Sequence, residues 1–290
     1  MLEAKITEKD SVVAFIDVLG FKEVMLSDDV ERRKRAIQLL KRISSYGAKH
    51  GVQTESLGVG MQIVLNPEVT TFSDNVVLSF PVGGVKYKSM GGGEIIQPAS
   101  SFLTNLITLL ISIYWQGLHL GLLFRGAVTT GRLYHDGNVV AGEGLVKAVC
   151  MEKKTIWPRI EVDRAILDKT DEYGKMLLDE SVREVSIVES DGRFFLNTLG
   201  FHIGVWWDYN HFSGKSESTW DDVREALKRI REQTQSSIEV LEHSVKSKTG
   251  EEREHAEKAL NKCVWFRDAF EAAQAGEDWQ AQLSRRESGG

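Results

Sequence analysis

Two aspartates stand where a charge is least expected. Asp17 follows an apolar run in "AFIDVLGF", and Asp74 sits in "TFSDNVV" between two β-type runs. Taken singly, Asp17 reads as a helix N-cap and Asp74 as a turn residue. Taken together they read differently. Two carboxylates brought to one sheet edge without a basic partner repel each other unless a divalent cation neutralises them. Magnesium or manganese, held by two carboxylates and by substrate phosphates, is the chemistry that fits such a pair. The backbone N–H groups of Leu19, Gly20 and Phe21, where the chain turns into a helix, can face the phosphates.

For the pair to meet, the elements must come in a particular order. Val12–Val18 is a continuous apolar run and predicts a fully buried strand that Asp17 terminates. A helical pattern follows from Glu23 and stops at Gly47 and Gly51. Two strands, Val69–Phe72 and Asn75–Phe80, fold about Ser73-Asp74, and a glycine-rich loop, "VGGVKYKSMGGGE", comes next. An uncharged helix spans about 99–117, then a long strand from near Gly121 turns at His135–Asn138 into a short one. Helix 143–154, the strand in "WPRIEVD", whose final aspartate can cap the next helix, and short strands near 184–188 and 193–197 complete the series. The order β-α-β-β-α-β-β-α-β predicts an α+β fold. Its frame is an elaborated split β-α-β (ferredoxin-like) arrangement, a mainly antiparallel sheet with helices on one face. Residues 1–217 form this catalytic unit, two appended helices occupy 218–285 with a break at Thr249-Gly250, and 286–290 is a disordered tail.

Bulk properties narrow the function classes. A net charge of −6 excludes a dedicated binder of the nucleic-acid backbone, which needs a basic face. It leaves room for an anionic ligand held with metal ions. The uncharged stretch 99–124 is long enough to span a bilayer, but Asn105, Gln116 and His119 interrupt it, so a buried helix and no membrane span are expected. Cys150 and Cys263 offer neither zinc spacing nor a disulfide framework. With a polar amino terminus, they point to the cytoplasm.

"FIDVLGF" followed by "FSDNVV" resembles the metal-binding signature of the class III nucleotidyl cyclases. "RGAVTTG" is similar to the family's strand leading to its dimer-facing hairpin, and "VVAGEGLVKAVCMEK" to the entry into its catalytic helix. The resemblance runs over about residues 10–165. It implies a cyclase-like fold, and two Mg²⁺ or Mn²⁺ ions per site held by Asp17, Asp74 and the carbonyl of Val18. It also implies a homodimer with shared active sites, the first strand and hairpin of one subunit meeting the 121–150 region of the other.

The departures from the family pattern narrow the substrate. Thr70 stands where adenylate cyclases of this class carry a purine-reading lysine, and Val139 where they carry a base-contacting aspartate. Without these polar readers a purine has nothing to select it. That combination resembles the uridylate and cytidylate cyclases of bacterial Pycsar anti-phage systems, which also carry extra carboxy-terminal helices. It implies conversion of UTP, or CTP, to the 3′,5′-cyclic monophosphate, with a separate effector responding to the product. A bulky side chain should fill the space a purine would occupy. Tyr46 is the candidate, with a core aromatic as the alternative.

The usual Asn and Arg of the catalytic helix align with Val146 and Cys150. Another cation must then stabilise the transferring phosphoryl group, or the protein binds nucleotide without turning it over. Arg125, Arg132, Lys147 and Arg159 are the candidates. Each also has a structural reading, Lys147 as a solvated helix residue and Arg159 as the partner of a neighbouring carboxylate.

Overall fold

A computed structural model describes residues 6–47, 52–54, 63–65, 67–82, 85–88, 94–97, 99–170, 177–178, 180–199 and 220–275. The expected tail 286–290, the extreme amino terminus and parts of the glycine-rich loop lie outside the described residues.

The chain opens with β1 (Lys9–Leu19), followed by α1 (Phe21–Leu26) and α2 (Val30–Ser45). The single helical pattern expected here is thus two helices. Ser27-Asp28-Asp29 breaks it because the Asp29 carboxylate accepts the Arg32 N–H at 2.9 Å and caps a new helix. Short strands β2 (Val52–Thr54) and β3 (Ile63–Leu65) pair with each other, and β4 (Glu68–Phe72) and β5 (Asn75–Pro81) form the predicted hairpin. Within the glycine-rich segment, β6 (Val85–Lys88) pairs antiparallel with β7 (Glu94–Gln97), so this part is a hairpin and not only a loop. Helix α3 (Ala99–His119), the long β8 (Leu123–Asp136), β9 (Val139–Ala141), α4 (Glu143–Lys154) and β10 (Ile160–Val162) follow. Then come α5 (Arg164–Leu167), capped by Asp163 as expected, α6 (Glu180–Ser186), β11 (Ile187–Ser190) and β12 (Arg193–Leu196). The strand expected from 184 starts only at Ile187, because α6 runs on through Ser186. Helices α7 (Trp220–Ser247) and α8 (Gly250–Gln274) break at Thr249 as predicted.

The main sheet has the order β11-β12-β10-β8-β1-β5-β4, with β9 paired to β8. Every pairing in it is antiparallel except β8 with β10. Strand β1 lies between β5 and β8, so both β1–β4 and β5–β8 are parallel pairs split by an intervening strand. That is the predicted split β-α-β frame.

Helices cover both faces of this sheet, not one. Val12, Ala14, Ile16 and Val18 of β1 turn to a large core with α2, α3 and α8, whereas Val13 and Phe15 pack with Val77, Leu133 and Ala148 of α4. The cause is visible in β1 itself. Its apolar residues are continuous instead of alternating, so each face needs cover. Gly131 and Gly144 let α4 settle against the strands. A Cβ on Gly131 would lie 2.8 Å from the Gly144 Cα, and one on Gly144 2.8 Å from Val13 Cγ2.

Helix α3 is buried on most of its circumference, which is why it carries no charge. No helix among the described residues is long and apolar enough to cross a membrane. Helix α8 enters the same core through Phe266, Ala269 and Phe270, and its Trp265 ring stacks on Trp157 at 5.6 Å and 9°. Burial of large apolar side chains at about 1.5–3 kcal/mol each makes this hairpin an integral support of the sheet.

The β8–β9 arm is held over the sheet by His135, which contacts Thr70 Oγ1 at 2.9 Å and Ser79 Oγ at 2.7 Å. Thr70 donates its one hydroxyl proton to the Gly137 carbonyl at 2.7 Å. His135 Nε2–H must therefore donate to Thr70, which leaves Nδ1 to accept from Ser79, and the ring is neutral. Burial depresses the His135 pKa from 6.5 to about 4, against the opposing pull of Asp136. The unfolded chain takes up this proton first as pH falls, so the contribution to stability is complete above about pH 6.5 and is lost toward pH 4. In urea titrations across that window, His135→Gln should show a shallower loss of stability than wild type.

Candidate functional site

Asp17 lies at the carboxyl end of β1, in register with Asn75 of β5 on one side and Arg125 of β8 on the other. The β4–β5 turn places Ser73 at φ +56°, and the Val18 N–H donates to the Asp74 carbonyl at 3.0 Å. This bond extends the pairing into the turn and pins the hairpin tip against the end of β1. Asp74 Oδ1 accepts from Asn75 Nδ2 at 2.9 Å, which orients its carboxylate. The predicted pair is thereby brought to one end of the sheet, close enough that the Asp74 charge raises the Asp17 pKa.

Asp17 is the middle of a larger cluster. Arg125 Nη2 reaches Asp17 Oδ2 at 3.3 Å and also forms a close ion pair with Glu152 Oε1 on the inner face of α4. Arg125 Nη1 donates to the Thr155 carbonyl at 3.3 Å. Thr155 Oγ1 continues the network to Glu161 at 3.0 Å, and Arg193 Nε donates to Glu161 at 3.0 Å. Burial raises the Asp17 pKa most, Arg125 opposes it, and Asp74 adds to it. Glu152 is raised for the same first reason, with Arg125 opposing and Asp17 adding. Lys262 of α8 senses the same cluster. Burial and then Arg125 lower its pKa, while Asp17 and Glu152 pull it up.

Glu152 and Lys262 escape a search based on motifs. The signal for Glu152 was its spacing, because Gly144, Ala148 and Glu152 recur every four residues and form the inward stripe of α4. Lys262 is positioned by tertiary packing that no local pattern encodes.

The remaining predicted residues are spread more widely. Arg132 is exposed and pairs with Glu143 at 3.7 Å, seven residues along β8 from Arg125, or roughly 23 Å at strand rise. Lys147 binds Asp163 at 2.8 Å, a carboxylate that also accepts from Thr129 and caps α5. Arg159 is buried, with its guanidinium carbon 3.5 Å from the Phe195 ring centre. Tyr46 is a core residue whose hydroxyl accepts from Gln116 Nε2 at 3.2 Å. Gly20 adopts φ +72° and starts α1, next to Leu19 and Phe21 as expected. That turn also faces Glu23, whose Oε2 lies 3.8 Å from where a Gly20 Cβ would stand. Glu23 in turn pairs with His255 of α8 at 3.0 Å. A six-residue helix with an acid in its first turn is a weak anion cradle by itself. Of the four candidate cations, only Arg125 touches the predicted pair.

The donor set can hold a hard divalent cation. Asp17 and Asp74 offer two carboxylates, but they are not the expected pair without a basic partner, because Arg125 already partners Asp17 and opposes the rise in its pKa that burial and, more weakly, Asp74 produce. No group of three or more His, Cys, Asp or Glu that could hold a metal occurs among the described residues. Two carboxylates therefore suit Mg²⁺-like ions that keep waters and phosphate oxygens as ligands, not a closed protein cage.

No protein-family model and no curated protein sequence matches the chain. The geometry generates its own test. Arg125→Met leaves the Asp17 and Glu152 carboxylates facing one another without their guanidinium, at a cost of about 3–5 kcal/mol. Their pKa values then rise further above the unfolded ones, the folded state binds more protons, and stability falls as pH rises. Thermal melts should show Arg125→Met losing more stability than wild type as pH rises above the ordinary carboxylate values of 3.8 and 4.5.

Proposed function

We propose that this protein is a class III-like pyrimidine nucleotide cyclase that converts UTP, or less favourably CTP, to the 3′,5′-cyclic monophosphate and pyrophosphate. The observation that carries the reading is the convergence of Asp17 and Asp74, locked by the Val18–Asp74 backbone bond at the end of a split β-α-β sheet. Two bound Mg²⁺ or Mn²⁺ ions would lower the pKa of the ribose 3′-hydroxyl and neutralise the phosphate chain. Asp17, Asp74 and the Val18 carbonyl are the groups that would hold them. Arg125 opposes the rise in the Asp17 pKa and fixes the direction of its carboxylate, and Glu152 fixes Arg125.

The choice of base follows from what is spent elsewhere. Thr70 is buried and its hydroxyl is committed to His135 and Gly137, so this position presents no reader for a purine. Val139 lies exposed on the hairpin and is apolar. The preference for UTP over CTP rests on the Pycsar resemblance, as does a role in anti-phage signalling through a separate cyclic-nucleotide effector.

A homodimer accounts for the outer surface of α4. Val146 is 63% exposed, with Val139 and Ile156 also open on neighbouring segments, and a second subunit would cover this apolar surface. The same surface also favours a second reading. Val146 and Cys150, at the family's Asn and Arg positions, turn outward and bring no polar group to Asp17. A module that binds nucleotide without cyclising it would look the same there.

Incubation with each of the four nucleoside triphosphates and Mn²⁺, followed by chromatography, separates the readings. Cyclic UMP should form, cyclic CMP less, and Asp74→Ala should reduce product to background while its melting temperature and oligomeric state stay those of wild type. Binding without any cyclic product would establish the non-catalytic module, and cyclic AMP or GMP would refute the account of base choice.

A further inference from the structure

Helix α8 does more than complete the core. Residues His255 and Lys262 are two turns apart and therefore share one helix face, and Trp265 and Phe266 follow within one turn on that side. Two contacts fix where this face points. His255 Nε2 meets Glu23 Oε1 at 3.0 Å on α1, the helix that begins directly after Asp17 and Gly20. Trp265 stacks on Trp157, two residues beyond Thr155, whose carbonyl accepts from Arg125. Lys262 lies between these contacts. Its charge is coupled to Asp17, Arg125 and Glu152, so it stands near that cluster.

The charges there are unequal. Asp17, Asp74 and Glu152 bring three carboxylates, and Arg125 is committed to two of them and to the Thr155 carbonyl. Lys262 is half-buried, feels Arg125, Asp17 and Glu152, and makes no direct ion pair with a described residue. Its three N–H donors sit on a flexible four-carbon stem that can reach an incoming anion.

We propose that Lys262 is a further substrate-binding residue of this site, brought by the carboxy-terminal hairpin to meet the phosphate chain of a nucleoside triphosphate. The proposal deepens the cyclase reading and rests on it for the identity of the substrate. It also gives the appended helices a function. The pairing of His255 with Glu23 draws an acid of the α1 turn toward α8, the helix that carries Lys262.

Inorganic tripolyphosphate with Mn²⁺, titrated calorimetrically into the full chain, tests this without a nucleoside. Wild type should bind it, and Lys262→Met and Lys262→Gln should each bind about tenfold or more weakly. Lys262→Arg should stay within about threefold of wild type, since a charged donor is retained. Lys258→Met, which removes an exposed lysine of the same helix, should bind as wild type does. Circular-dichroism melts of the Lys262 variants should match wild type, which sets a lost phosphate contact apart from a lost fold. Equal affinity of wild type and both neutral variants would overturn the proposal, as would failure of wild type to bind tripolyphosphate. If binding depends on Lys262 and no nucleotide is cyclised, the cyclase reading fails and the phosphate site stands.

Discussion

A guanidinium held between a half-buried and a buried carboxylate organises one end of this molecule. Arg125 belongs to β8, Asp17 to β1 and Glu152 to α4, so their mutual attraction joins two strands to the helix that covers them. Such a cluster is favourable only while it is complete, because each partner is desolvated and any one left alone is a buried, uncompensated charge. The network continues through Thr155 to Glu161 and Arg193, and so reaches β10 and β12. Asp74 stands just outside the triad. Its charge adds to burial in raising the Asp17 pKa, against the opposing pull of Arg125.

The sheet is arranged to bring support to that end from both sides. On one face, α2, α3 and α8 bury the even-numbered residues of β1, and on the other α4 buries the odd-numbered ones. The first face supplies most of the apolar burial, while the second supplies Glu152. The carboxy-terminal hairpin therefore touches the chemistry through the core that it completes. The Trp265–Trp157 stack and the His255–Glu23 contact fix α8 beside the segments that carry the triad. Loosening α8 would disturb the charge balance at Asp17 without changing any residue of β1.

Much of this was legible in the sequence because it is local. The apolar run of β1, the Ser73-Asp74 turn, helix 143–154 and the aspartate cap at Asp163 are each encoded within a few residues and form as their patterns predict, except that β1 runs on past Asp17 to Leu19 instead of ending there. The reading failed where a residue's partner lies far along the chain. The second covered face depends on how β1 is enclosed, whereas the split of α1 from α2 is a local signal that the single helical pattern overlooks, the Asp29 side chain capping Arg32 three residues on. Arg125, Arg132, Lys147 and Arg159 were indistinguishable as cations in a sequence. Only register opposite Asp17 separates Arg125 from the three that pair elsewhere or stack on Phe195. At Thr70 the sequence shows only a small polar residue, and its bonds to His135 and Gly137 give the hydroxyl a structural role.

The most direct measurement is a crystal structure of the full chain with Mn²⁺ and 3′-deoxy-UTP, which lacks the attacking hydroxyl, examined by anomalous scattering. The account predicts manganese peaks within about 2.2 Å of carboxylate oxygens of both Asp17 and Asp74, with triphosphate oxygens completing the coordination. Manganese bound elsewhere, or a triphosphate seated away from this end of the sheet, would contradict it.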